Sequence, residues 1–140
     1  MTTNTEPQKH RNTEFIQPLF TDLSDSILRC AIAVHKELGP GLPEHSYETA
    51  MALELDAAGF KYERERPVIV RYRNIVVGWH KPDFIVEEKV IVELKALPNF
   101  DRAHFKQVLT YLKVTGLRVA LLLNFGVASL GNDGIKRFQM

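Results

Sequence analysis

The sequence predicts an α/β fold in which a mixed sheet of about four strands is flanked by helices. The expected order is helix, helix, three strands, helix, strand. Apolar residues recur at helical spacing in three segments, and short runs rich in β-branched residues, such as VIVELK at 90–95, lie between them. Three successive strands favour an antiparallel meander, and the last helix provides a crossover to a parallel strand.

Length and composition indicate one ordinary domain. The chain has 140 residues, is 45% hydrophobic and carries a net charge of +1, so a nucleic-acid site would have to be a local patch. Cys30 is the only cysteine, which excludes an internal disulfide and favours a cytoplasmic location. Residues 1–14 are polar and predict a disordered tail, without a secretory signal, before a single domain at 15–140. No apolar run is long enough to indicate a membrane partner.

The first two helices are predicted at about 23–38 and 43–58, and each is followed by a glycine. The apolar stripe of the second helix includes Tyr47. Extending that stripe back by three residues reaches Glu44, so a carboxylate begins the face that should pack inward. Taken alone, a glutamate in a first turn is more simply a partner of the helix dipole.

Three strands are predicted next, at about 61–72, 75–86 and 90–95. Arg73-Asn74 forms the first turn between them and the polar residues 87–89 form the second. The short second turn places the last two strands side by side, so polar residues at their facing ends should lie close together.

Charged residues in the most apolar strand require an explanation. Side chains alternate along a strand, so Ile91, Glu93 and Lys95 share one face. A buried charge costs several kcal/mol unless it is paired or hydrated. Asp83 poses the same problem on the neighbouring strand, where the hairpin brings it near Glu93. Two adjacent carboxylates need a cation, which is either Lys95 in a structural network or a divalent metal with oxygen ligands.

The last helix, at about 100–115, leads to an apolar strand at 118–124. Beside its core stripe the helix carries a second, semi-polar stripe of large side chains that either lines a cleft or packs under a loop. This second stripe consists of Phe100, His104, Gln107, Tyr111 and Val114.

Three motifs carry a resemblance to a known family. Pro82-Asp83, followed after nine residues by Glu93-Leu94-Lys95, resembles the P-D…(D/E)-x-K motif of the restriction-endonuclease-like nuclease superfamily. The segment Gln107–Tyr111 resembles the Q-x-x-x-Y motif of its lambda-exonuclease-like and RecB-like branch. The segment Gly41–Tyr47 matches the G-x-x-E-x-x-Y signature of a small family within the superfamily. The predicted order of elements also resembles the common core of these nucleases.

The resemblance implies a metal-dependent nuclease. Asp83, Glu93 and the backbone carbonyl of Leu94 would bind Mg²⁺ or Mn²⁺, and Glu44 would complete the metal's ligands directly or through water. Hydrolysis of an anionic phosphodiester needs a cation and a nucleophile formed at neutral pH, and a hard divalent metal held by carboxylates supplies both.

Three further residues receive roles from the same resemblance. Lys95 would orient or help deprotonate the attacking water and stabilise the charge that develops on the phosphate. Gln107 would position the water or the scissile phosphate, and Tyr111 would support Gln107.

Basic and aromatic residues outside the motifs could contact nucleic acid, with DNA favoured over RNA. The arginines belong to a basic run that begins at Lys61, and Glu63 and Glu65 interleave with part of that run, so a solvated strand face explains it equally well. Packing is the alternative explanation of the tryptophan and the histidine. The candidates are Arg71, Arg73, Trp79 and His104. The alternatives to a nuclease are a non-catalytic nucleic-acid-binding module and a regulatory or partner subunit, and the oligomeric state is open.

Overall fold

This computed structural model describes residues 19–140, which contain four helices and seven strands. The tail predicted at 1–14 lies outside the described residues. The helices are α1 (Thr21–Leu38), α2 (Glu44–Ala57), α3 (Arg102–Thr115) and α4 (Leu130–Asp133). The strands are β1 (Tyr62–Arg64), β2 (Val68–Tyr72), β3 (Ile75–His80), β4 (Phe84–Val86), β5 (Val90–Lys95), β6 (Val119–Asn124) and β7 (Ile135–Gln139). Within 19–140 no helix combines the length and apolar character that crossing a membrane requires.

A five-stranded mixed sheet, in the order β1-β4-β5-β6-β7, forms the centre of the molecule. β5 pairs antiparallel with β4 and parallel with β6, and α3 provides the crossover between the two parallel strands. The predicted α/β class, the antiparallel meander and the parallel last pairing are therefore confirmed. β2 and β3 pair only with each other and form a separate two-stranded ribbon.

The sheet is covered on both faces, and the alternation of side chains along β5 separates the two layers. Val90, Val92 and Leu94 pack with α1 and α2 in one apolar cluster. Ile91 packs in the other cluster, beneath α3. Because side chains alternate, Glu93 lies on the same face as Ile91 and therefore on the side of α3.

The two long strands predicted at 61–72 and 75–86 are each broken. β1 ends before Glu65, whose φ is 55°, and β2 begins only after Pro67. β3 ends two residues before Pro82, and β4 begins after it. Proline cannot donate a hydrogen bond to a strand ladder, so each proline ends one pairing and lets the chain change direction.

The C-terminal α4 and β7 lie beyond the predicted elements. β7 pairs antiparallel with β6 at the edge of the sheet. Its sequence, IKRFQ, mixes charged and apolar residues, as is typical of a strand that pairs on one side only among the described residues.

The ends of β5 and β6 are tied together by one buried side chain. Asn124 Oδ1 accepts hydrogen bonds from the N–H groups of Leu97 and Gly126, each at 2.9 Å. A Cβ at Gly126 would overlap the backbone of Leu97, so the close passage of the two segments requires glycine. This junction lies just beyond Lys95 and fixes how the chain leaves β5.

Candidate active site

Asp83 and Glu93 are locked together by hydrogen bonds from the backbone. The Asp83 N–H donates to Glu93 Oε1 at 3.0 Å, and the Leu94 N–H donates to Asp83 Oδ2 at 2.7 Å. Lys95 Nζ lies 3.6 Å from Glu93 Oε2, and both side chains are largely buried. The structure thus brings together Asp83, which lies immediately before β4, and Glu93 and Lys95 on β5, as the sequence predicted.

The proline before Asp83 explains how the backbone near these carboxylates stays open. Phe84 is opposite Val92 in the register, so Pro82 would lie opposite Leu94 if the pairing continued for two more residues. Proline has no N–H, so the ladder stops there and the Asp83 carboxylate takes the Leu94 N–H instead. The N–H and C=O of a strand residue point toward the same neighbour, so the Leu94 carbonyl also points toward Asp83.

Burial and mutual repulsion make the charged forms of both carboxyls costly. Burial, followed by the charge of Glu93, raises the pKa of Asp83 to about 8, although the Leu94 N–H opposes that rise. Burial also raises the pKa of Glu93, against the lowering effect of Lys95 and of the Asp83 N–H. At neutral pH the two carboxyls therefore do not readily lose their protons to water alone. A cation bound beside them would favour their charged forms.

Glu44 lies at the rim of this pair. It is the first residue of α2 and begins the helix face that Tyr47 and Glu48 continue, but unlike those two residues it is exposed. Partial burial and then the charge of Glu48 raise the pKa of its carboxyl, whereas Lys95 and His104 lower it. The Glu44 carboxyl is therefore within electrostatic range of Lys95 and of His104 in the first turn of α3.

Glu48 is a buried acid that the sequence reasoning missed. It is 6% exposed, its Oε1 lies 3.5 Å from Arg64 Nη2, and its Oε2 has no hydrogen-bond partner among the described residues. Its charge also contributes to the raised pKa of Asp83. The sequence signal for Glu48 as a site residue is its position one helical turn after Glu44, because residues four apart share a helix face.

Tyr47 holds the loop that precedes α2. Its ring is fully buried and stacks on Phe125 with 4.8 Å between the ring centroids. Its hydroxyl donates to the Gly39 carbonyl and accepts from the Leu42 N–H, the latter at 3.1 Å. The tyrosine of the G-x-x-E-x-x-Y pattern therefore has a structural role, because it fixes the loop that leads into Glu44.

Tyr47→Phe should lower the free energy of unfolding by roughly 1–2 kcal/mol, since the two loop groups lose a buried partner. Urea denaturation measures this change. Tyr72→Phe is the matched control, because Tyr72 is 62% exposed on the ribbon, and it should leave stability unchanged. Equal stability of Tyr47→Phe and wild type would show that the hydroxyl does not hold the loop.

α3 brings a third group of side chains to the carboxylates. Tyr111 is 2% exposed and its hydroxyl is hydrogen-bonded to the side chain of Gln107. Burial, with the charges of Glu93 and Asp83, raises the pKa of Tyr111, so this hydroxyl faces the acidic pair in its neutral form. The semi-polar stripe of α3 therefore borders the site at these two residues.

His104 has a structural task at the start of α3. Its Nδ1 accepts the Asp101 N–H at 3.0 Å, while the Asp101 carboxylate accepts the Ala103 N–H, which forms a reciprocal cap. The ring is also close enough to lower the pKa of Glu44. The His104 side chain therefore both lies near the site and caps the start of α3.

The remaining candidates lie on the ribbon. Arg71, Arg73 and Trp79 are exposed, and no described contact joins them to the carboxylates. The ribbon nevertheless meets the site at its base, where the rings of His80 and Tyr111 are 6.0 Å apart.

The donors at the end of β5 fit a hard divalent cation in type and in charge. Carboxylate and carbonyl oxygens are the ligands that Mg²⁺ and Mn²⁺ prefer, and here they come from Asp83, Glu93 and Leu94. Within the described part of the chain, no three histidine, cysteine or acidic side chains are already arranged around one metal position. Asp83, Glu93 and the Leu94 carbonyl would hold the cation, and the negative charge of Glu44 and Glu48 would favour its binding.

Comparison with known proteins agrees with this arrangement. Residues 21–138 match the sequence model of a family described as the PD-(D/E)XK nuclease superfamily. No curated protein and no solved structure matches the chain significantly. Because the family match spans most of the 140 residues, the chain belongs to the PD-(D/E)XK nuclease superfamily.

Proposed function

We propose that this protein is a nuclease that hydrolyses phosphodiester bonds of nucleic acid with Mg²⁺ or Mn²⁺. One observation carries the proposal: Glu93 contacts both the Asp83 backbone and the Lys95 ammonium at the open end of β5. A structural ion pair would need only one carboxylate. Here Asp83 and Glu93 stand together with raised pKa values, which costs stability unless the pair serves a cation.

The residues of the acidic pair would hold the metal. Asp83, Glu93 and the Leu94 carbonyl are the proposed ligands, with Glu44 and Glu48 completing the negative surroundings. When bound, a divalent metal would screen the phosphate charge and lower the pKa of an attacking water.

Lys95 and α3 would handle the water and the phosphate. The Lys95 ammonium shares the face of Glu93 and can hydrogen-bond a water or a phosphate oxygen without competing for a cation. Gln107 would orient the same water or phosphate through its amide. Tyr111, which is neutral and hydrogen-bonded to Gln107, would fix the amide's orientation.

The finer classification follows from the motifs. We infer that the chain is a G-x-x-E-x-x-Y protein with a Q-x-x-x-Y motif of the lambda-exonuclease-like and RecB-like kind. Two observations support this inference: Tyr47 holds the loop that precedes Glu44, and the bonded pair Gln107 and Tyr111 borders the carboxylates.

Calorimetric titration with Mn²⁺ tests the metal site, and Glu93→Gln is the informative variant. Removal of one ligand charge should weaken Mn²⁺ binding at least about tenfold, the size of effect typical of lost metal-site groups. Glu37→Gln, at an exposed position near the end of α1, is the matched control and should bind like wild type. Wild type and Glu37→Gln should cleave labelled DNA or RNA oligonucleotides, and only when Mg²⁺ or Mn²⁺ is added.

A binding module without catalysis is the second candidate. Among residues 19–140, no three histidine, cysteine or acidic side chains are already arranged around one metal position, which favours this second candidate. Wild-type protein that binds nucleic acid but neither takes up Mn²⁺ nor cleaves DNA or RNA would support this candidate and contradict the nuclease.

A further inference from the structure

The β2–β3 ribbon has an unusual surface for a chain that is almost neutral. Residues 67–81 contain Arg71, Arg73 and Lys81 but no aspartate or glutamate, although the chain has 17 acidic residues. Six large apolar side chains are also 37–66% exposed there. They are Ile69, Tyr72, Ile75, Val76, Val77 and Trp79. Exposed apolar side chains on this scale, mixed with one sign of charge, indicate a surface that meets a partner.

The pairing register separates the two faces of the ribbon. Ile69 is opposite Trp79 and Arg71 is opposite Val76, so these four side chains share one face, here called the ribbon outer face. On the other face Val68 is 3% exposed and packs in the cluster beneath α3. The face that carries Val68 is therefore anchored only at the base of the ribbon, since Tyr72 and Ile75 at its tip are exposed, whereas the ribbon outer face is open from base to tip.

Cations and aromatic rings are paired along the ribbon. The guanidinium carbon of Arg73 lies 5.3 Å from the centre of the Tyr72 ring, and Lys81 Nζ lies 5.3 Å from the centre of the Trp79 ring. Aromatic rings next to mobile cations provide the two contacts that a single nucleic-acid strand needs, base stacking and phosphate neutralisation.

The charge and position of the ribbon decide between possible occupants. A second copy of the ribbon would bring three more cations against these three with no acid between them. The ribbon base adjoins Tyr111, and the chain leaves the ribbon directly into Asp83, so a strand on the ribbon extends toward the acidic pair. Within a duplex each flat base face is covered by the neighbouring stacked base pairs, whereas the bases of a single strand can unstack and expose their faces to an aromatic side chain.

We propose that the ribbon outer face binds a single-stranded segment of nucleic acid next to the acidic pair. Trp79 stacks on a base, and Arg71, Arg73 and Lys81 contact the phosphates. This inference rests on the proposed function, because it names the form of the substrate that reaches the site.

Trp79 is the only tryptophan, so its intrinsic fluorescence reports directly on stacking. The full-length protein in EDTA is titrated with an oligothymidylate of about 12 nucleotides, within the site sizes of single-strand binders, or with a hairpin duplex of similar length. The single strand should quench Trp79 emission, and its affinity should fall as salt rises. The duplex should bind at least about tenfold more weakly, because one lost stacking contact has that order of effect.

Variants separate the ribbon from the rest of the surface. By fluorescence anisotropy of a labelled oligothymidylate, Trp79→Ala and the Arg71→Ser/Arg73→Ser double variant should each weaken binding about tenfold or more. Leu53→Ala is the control, since Leu53 is 64% exposed on α2, and it should bind like wild type. Circular dichroism checks that every variant is folded.

Each contrary result has a distinct meaning. Binding that neither quenches Trp79 nor responds to the ribbon variants overturns the inference while the nuclease proposal stands. If the duplex binds as tightly as the single strand, the proposed stacking of Trp79 on an unpaired base is contradicted. A concentration-dependent blue shift of Trp79 without nucleic acid shows that the face joins protein copies and overturns the inference. If metal-dependent cleavage is absent while binding still depends on the ribbon residues, the nuclease proposal is contradicted but the ribbon site is not.

Discussion

Lys95→Met is expected to lower the rate of metal-dependent phosphodiester cleavage by roughly 10²–10⁴-fold, the range typical of a lost acid–base group. Methionine retains much of the length and the apolar contacts of lysine but removes the ammonium that lies 3.6 Å from Glu93. The attacking water and the developing phosphate charge then lose their nearest cationic side chain. Single-turnover cleavage of a labelled oligonucleotide in Mn²⁺ measures the effect.

Metal binding distinguishes this role from damage to the metal site. Loss of a positive charge beside Glu93 should leave the affinity for Mn²⁺ unchanged or increase it, because like charges repel. Lys113→Met, at an exposed position in the last turn of α3, is the matched control and should cleave at the wild-type rate. Cleavage by Lys95→Met within about threefold of wild type would remove Lys95 from the catalytic residues.

In EDTA, the protein is expected to lose stability as pH rises from about 4 toward 8. The pKa of Asp83 is about 8 in the folded protein, compared with an ordinary value of 3.8. Between those values the folded state holds a proton that the unfolded state has released, so raising the pH favours unfolding. Each unit of separation is worth about 1.4 kcal/mol, so the total loss is on the order of a few kcal/mol.

Thermal melts at pH 5 and pH 8 measure this effect. Asp83→Asn removes the titrating group and should flatten the pH dependence, whereas Asp25→Asn, on the exposed side of α1, should not. Added Mn²⁺ should raise the melting temperature more at pH 8 than at pH 5, because a cation replaces the proton. A metal-free protein whose melting temperature is the same at both pH values would contradict the raised pKa of Asp83.

The apolar strand at 90–95 could be predicted from sequence because β-branched residues and strict alternation act locally. The same alternation correctly assigned Glu93 to the face opposite Val92 and Leu94. The contact with Asp83 could also be predicted, since the hairpin turn at 87–89 is short. These features depend only on residues near one another in the chain.

What could not be predicted depends on distant packing. Pro67 and Pro82 lie within the two long strands that were predicted, but only the whole fold decides that the segment between them leaves the sheet as a ribbon. Glu48 resembles any helical surface glutamate until α2 packs on the sheet and buries it. β7 lacks strong apolar alternation because an edge strand is only half buried, so composition alone did not reveal it.

The crossover from β5 to β6 also bears on when activity arises during folding. The Lys95 carbonyl accepts a hydrogen bond from the Phe125 N–H at 2.7 Å, so the end of β5 is completed by residues thirty positions later. Parallel pairings close large loops and form late in folding. A nascent chain that has not yet emerged from the ribosome as far as Phe125 contains every motif residue but lacks the strand that holds Lys95 in place. Synthesis of the last strands would thus set the earliest moment at which the polypeptide can act on nucleic acid.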